Sequence, residues 1–164
     1  MDAGDLQQAL GAIVMESSYL EQVLRSAFGA LTGSKYAPAV SARMTAHELI
    51  EVCENLVRVH TDLGETARAD LKSALGACDR ANQKRNRAIH DAWTFRPDGV
   101  LVSVTPAARE VSSTVPGLRE MAAQIGAAAD GLGAATIAAF GPDSLRAGDQ
   151  LRPEPGGDIG ADPG

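Results

Sequence analysis

The stretch Arg85-Asn86-Arg87-Ala88-Ile89-His90-Asp91-Ala92-Trp93-Thr94-Phe95 contains the change of pattern on which the fold turns. Before it, Leu71, Leu75 and Cys78, followed by Ile89 and Trp93, recur at helical spacing from about Glu65 to Ala92. After it the period shortens. Trp93-Thr94-Phe95, Arg96-Pro97-Asp98-Gly99 and Val100-Leu101-Val102-Ser103-Val104 read as a β-hairpin around a Pro-Asp-Gly turn.

Working outward, two helices precede this one. The first spans about Asp5 to Leu31, with Leu6, Leu10, Ile13, Leu20, Leu24 and Phe28 on its apolar side, Asp5 as N-cap and Gly33 as its stop. Pro38 falls in the loop beyond. The second opens at Thr45-Ala46-His47-Glu48, which has the form of a capping box. A fourth long helix follows the hairpin; Ser113 or Thr114 caps it, Pro116 suits its first turn, and it runs to about Phe140. The expected fold is therefore all-α: an up-and-down bundle of four main helices with a small β-hairpin between the third and fourth. Residues 1–140 form the domain. Residues 141–164, rich in Gly, Pro and Asp, have too few apolar side chains to offset ordering entropy and read as a disordered tail.

Composition narrows the function classes. Hydrophobic residues make up 45% of the chain but aromatics only 4%, so its core must be packed from Ala, Leu, Val and Ile. The formal charge of -6 argues against coating nucleic acid non-specifically, although a local basic patch remains compatible with it. Cys53 and Cys78 form no C-x-x-C and lie in apolar helical patterns, as buried free thiols in a reducing cytoplasm would. No segment has the unbroken apolar length of a membrane span, and Met1-Asp2-Ala3-Gly4-Asp5 lacks the basic region of a secretory signal. A soluble, cytoplasmic protein without membrane attachment is expected.

The third helix carries the chemistry. Asp79, Asn82, Asn86 and His90 fall within one band on a single face, at about 100° per residue. Arg85 and Ile89 lie on an adjoining face, and Arg80, Lys84 and Arg87 add positive charge nearby. Such a stripe is either solvated surface or a polar face turned toward a partner. No His-x-x-x-His pair or carboxylate cluster suggests a metal, and no glycine loop or nucleophile elbow suggests a cofactor or acyl transfer. His47 reads as surface or cap, His60 as a helix-end residue, and Trp93 as core packing. Glu16 and Glu21 read as surface, or as partners for Arg85 across the bundle.

The order of elements, with Lys84-Arg85-Asn86-Arg87-Ala88-Ile89-His90-Asp91 late in the third long helix, resembles the HEPN superfamily (higher eukaryotes and prokaryotes nucleotide-binding). The family's hallmark is Arg, four to six residues, then His, and this chain looks like its Arg-Asn-x-x-x-His form. The resemblance covers about residues 5 to 140, while the motif spans six. It implies a metal-independent endoribonuclease site completed across a homodimer, often in toxins or defence effectors restrained by an inhibitory antitoxin. It assigns Arg85, Asn86 and His90 to catalysis. Arg80, Lys84 and Arg87 are the candidate RNA-binding residues, with no metal and no cofactor. A non-catalytic dimerisation or nucleotide-binding adaptor is the alternative that the same resemblance carries.

Overall fold

The computed structural model describes residues 3–96, 100–104 and 110–148. Among the described residues there are five α-helices: α1 (Ala3–Thr32), α2 (Ala37–Ser41), α3 (Ala46–Val59), α4 (Glu65–His90) and α5 (Val115–Phe140). Between α4 and α5 lie β1 (Ala92–Phe95), β2 (Leu101–Val104) and β3 (Glu110–Ser112). The all-α bundle with its small antiparallel insertion is as the sequence patterning indicates.

Local chemistry sets the helix boundaries. The Thr45 hydroxyl accepts from the Glu48 backbone N–H at 3.3 Å, and Glu48 Oε2 accepts from the Thr45 backbone N–H at 2.7 Å. Both halves of the capping box are thus made, and the hydrogen bond from the Thr45 backbone holds the Glu48 carboxyl below its ordinary pKa. Thr114, rather than Ser113, caps α5 by accepting from Gly117 N–H at 3.0 Å. Gly33 closes α1 with a φ of 57°, a conformation that glycine adopts without a Cβ penalty. Asp5 is not a cap; it sits in the first turn of α1, and its carboxylate lies 3.4 Å from Arg119 Nη2 on α5.

The sheet is larger than a hairpin. β1 pairs antiparallel with β2, Ala92 opposite Val104 and Phe95 opposite Leu101, and β3 adds a third strand on the far side of β2. The expected Pro97-Asp98-Gly99 turn lies outside the described residues. As the central strand, β2 is buried on both faces: Leu101, Val102 and Ser103 are each at most 4% exposed.

Two segments expected to be irregular are ordered. Around Pro38 the chain forms α2, and Arg25 on α1 donates to the carbonyls of Ser41 (3.4 Å) and Met44 (3.3 Å). The chain thus doubles back along α1 before α3 begins. One consequence is that α1 and α5 run parallel, as shown by the pairs Gln8–Arg119, Tyr19–Asp130 and Val23–Gly133. Helix directions alternate only when α2 is counted. Beyond Gly141, Pro142–Gly148 form a 3-10 helix packed on α1 and α5, with Leu145 against Gly133. The ordered domain therefore extends past residue 140, because Leu145 supplies an apolar contact that the Gly/Pro/Asp composition conceals. The remainder of the expected tail, residues 149–164, lies outside the described residues.

The core is aliphatic, as the shortage of aromatics requires. Ile13 and Leu24 of α1, Leu49 of α3, Leu71 and Leu75 of α4, and Leu118, Ile125 and Leu132 of α5 are all fully buried. Gly126 brings α5 close to α1: a Cβ there would lie 2.6 Å from Glu16 Oε2. Glu16 therefore belongs to the α1–α5 contact and not to the neighbourhood of Arg85. Among the described residues, no helix is long and apolar enough to cross a membrane.

Candidate functional site

The polar stripe on α4 proves to be graded. Asn82 is buried at 6% exposure, Asp79 and Asn86 are half-buried, and His90 is exposed. The gradient follows from angle. Asn82 lies about 15° from the centre of the buried Leu71–Cys78 face, while His90 is roughly 95° away. Asp79 Oδ2 accepts from Gln83 Nε2 at 2.8 Å, which ties the acid to its own helix.

Arg85 turns inward, toward α1. Its Nη1 donates to Asn86 Oδ1 at 2.9 Å, and its Nη2 lies 3.9 Å from Glu21 Oε1. Glu21 is shared, since its other oxygen sits 3.5 Å from Arg25 Nη1. The pairing of Arg85 with Glu21, one of two arrangements open from sequence, is thus the one adopted. Arg85 Nε is buried and has no hydrogen-bond partner. A buried donor left unmade costs desolvation energy, while the rest of the guanidinium stays about a quarter exposed.

His90 is the last residue of α4, and among the described residues its imidazole makes no hydrogen bond. Two hydrogen bonds use the last carbonyls at that end. Asp91 N–H donates to Arg87 carbonyl at 3.0 Å, and the Trp93 indole N–H donates to Ala88 carbonyl at 2.7 Å. Trp93 packs against the core, so it acts as a clamp that fixes where His90 emerges. Asn86 and His90 share a face at a separation of four residues, but Arg85 and His90 project about 140° apart. One chain does not bring all three onto a single surface.

The three other cations lie elsewhere. Arg80, Lys84 and Arg87 line a pair of shallow grooves between α4 and α5, about 330 Å³ and 410 Å³, together with Met121 and Gln124. Lys84 Nζ donates to Gln124 Oε1 at 2.7 Å. They occupy the side of α4 opposite Arg85, so the expectation that they flank it holds along the chain but not around the helix axis. His90 projects between the two groups.

The remaining histidines stand apart. His47 is exposed, 3.6 Å from Glu51, and His60 packs edge-on against Phe140 at 5.9 Å. Among the described residues, no group of three or more His, Cys, Asp or Glu side chains is placed to hold a metal ion. Cys53 and Cys78 are buried free thiols, which burial pushes up to about 12.

Sequence reasoning missed a second cationic cluster. Arg58 on α3 with Arg68 and Lys72 on α4 line a cleft of about 370 Å³, shared with Glu54, Asn55 and Val57. The available signal was an Arg68–Lys72 pair of like charges four residues apart, near a helix start. No protein-family model matches the chain, and neither a curated protein nor a solved structure matches it significantly.

Proposed function

We propose that the chain is a metal-independent endoribonuclease of HEPN type, acting in the cytoplasm as a homodimer and restrained by an antitoxin-like protein partner. The observation that carries the reading is the state of Arg85. It is oriented by Asn86 and held half-buried beside Glu21, five residues before an exposed histidine. The part-exposed guanidinium can hold a phosphate oxygen through its terminal nitrogens. The role of effector and the inhibitory partner come from the family resemblance alone.

The chemistry divides between copies. His90 takes the proton from an RNA 2′-OH, and the freed oxygen attacks the adjacent phosphorus. The bond to the 5′-oxygen breaks, leaving a 2′,3′-cyclic phosphate, and the 5′-oxygen is protonated by a histidinium. Arg85 stabilises the charge that builds on the non-bridging oxygens. Each chain offers a single histidine on α4, so the acid and the base come from two copies related by a two-fold axis. Arg80, Lys84 and Arg87, beside the α4–α5 grooves, bind flanking phosphates.

The His90→Ala variant is expected to lose RNA cleavage while keeping its circular dichroism spectrum and its sedimentation as a dimer. Undiminished cleavage by that variant rejects the assignment. A second reading, a non-catalytic nucleotide-binding or dimerisation adaptor, is favoured by Glu21, which counterbalances Arg85. Under that reading wild-type protein cleaves no RNA, and its RNA affinity shows little dependence on salt.

A further inference from the structure

We propose that the cleft between α3 and α4, at the end of the bundle away from His90, is a binding site for a small phosphate-bearing ligand. It is independent of the RNA-cleaving reading, since it lies roughly 30 Å along α4 from His90 at about 1.5 Å per residue.

Three cations line it. Arg58 comes from the last turn of α3, and Arg68 and Lys72 are successive-turn neighbours on α4. None of the three is ion-paired among the described residues, although Glu54 lines the same cleft. The placement is electrostatically costly. Arg68 and Lys72 are like charges four residues apart, and Arg68 stands near the positive end of the α4 dipole. Arg58, at the negative end of α3, is accounted for by its own helix; the two residues on α4 are not.

Arg68 is also fixed in place before any ligand arrives. Its Nη2 donates to the His60 carbonyl at 2.9 Å and the Leu63 carbonyl at 3.3 Å, both in the turn between the helices. Its Nε is buried and has no hydrogen-bond partner. Arg58 Nη2 donates to Asn55 Oδ1 at 2.7 Å, which leaves the Asn55 amide N–H groups available as further donors. The wall therefore holds a rigid guanidinium, a second guanidinium, an ammonium and an amide. The acceptor that satisfies such a set is compact, carries more than one negative charge and has several oxygens. A phosphate meets all three conditions; a single carboxylate does not. The volume, about 370 Å³, leaves room beside the phosphate for a small organic group.

Isothermal titration of the full chain tests this with three probes at constant ionic strength: inorganic phosphate, adenosine 5′-monophosphate and acetate. Phosphate or the monoester is expected to bind at least tenfold more tightly than acetate. Tighter binding of the monoester identifies a phosphorylated small molecule as the natural ligand, and equal binding identifies free phosphate. Lys72→Ala, an exposed position, is expected to weaken the bound probe at least fivefold without changing the unfolding midpoint. Arg68→Lys keeps the charge but removes the planar guanidinium that the two carbonyls hold in place, and is expected to weaken it similarly. No binding by either phosphate probe, acetate binding as tightly as phosphate, or unchanged affinity in both variants overturns the proposal.

Discussion

Two arginines of α4 share a peculiarity and differ in its setting. Arg68 and Arg85 each have a buried Nε with no hydrogen-bond partner. Arg68 is held by two backbone carbonyls, which are neutral, so its positive charge remains uncompensated. Arg85 is held by side chains, an amide and a carboxylate, so its charge is largely counterbalanced at rest. The first arrangement is structural as well as cationic, because Arg68 fastens the turn between α3 and α4. The second is adjustable: substituting Glu21 changes the charge at Arg85 while leaving the backbone alone. An arginine fixed by backbone serves the fold first, whereas one fixed by an exchangeable carboxylate is suited to regulated chemistry.

The largest expected effect follows from the role in catalysis proposed for Arg85. Arg85→Ala is expected to lower RNA cleavage by about 100- to 1000-fold, as removal of a transition-state donor does. Its urea midpoint should barely move, because a 3.9 Å pair that is about one-third exposed contributes little to stability. Comparable cleavage by this variant and wild type in a single-turnover assay would erase the distinction.

Arg68→Ala is expected to behave in the opposite sense. It leaves the His60 and Leu63 carbonyls without their donor and should cost about 1–3 kcal/mol in chemical denaturation, with little change in cleavage. A smaller loss than that for Arg85→Ala would break the comparison.

Between the two arginines lies Cys78, packed near Cys53 in the middle of the bundle. Burial keeps both thiols protonated up to about 12, whereas an exposed thiol ionises near 9.0. Their folded-state values are raised, so their contribution to stability is complete below pH 9. It is lost as the pH rises from there toward 12. The alkaline fall in urea midpoint should be shallower for a Cys53→Ala/Cys78→Ala double variant than for wild type; parallel curves would show that the thiols do not contribute.

The smallest expected effect sharpens the picture at Arg85. Glu21→Gln removes the counter-charge and should tighten RNA binding about two- to fivefold, in keeping with a partly exposed ion pair. Fluorescence anisotropy at low and moderate salt measures it. Weaker binding would mean that Glu21 orients Arg85 rather than restraining it.

Much of the fold was legible because it is local. The Thr45–Glu48 box and the Gly33 stop depend on residues a few positions apart and formed where the pattern put them; the change of period, expected past Ala92, came two residues earlier, after His90. The elements that escaped were short or held by distant partners. α2 is five residues long and is fastened by Arg25, and β3 has three residues and exists as an addition to β2. The 3-10 helix after Gly141 needs α1 and α5 to pack on.

For the candidate site, the sequence by itself determined which residues share a helix, because a fixed rotation per residue makes Asn86 and His90 neighbours and sends Arg80, Lys84 and Arg87 to another side. Only the tertiary structure decided what faces each of them. Glu21 rather than Glu16 meets Arg85, Gln124 meets Lys84, and the Arg58 side chain joins Arg68 and Lys72 around one cleft. Helical periodicity is a property of the backbone and can be counted along the chain. The choice of partner depends on how helices far apart in sequence are packed, and here that was set by α2, which turned the chain back along α1.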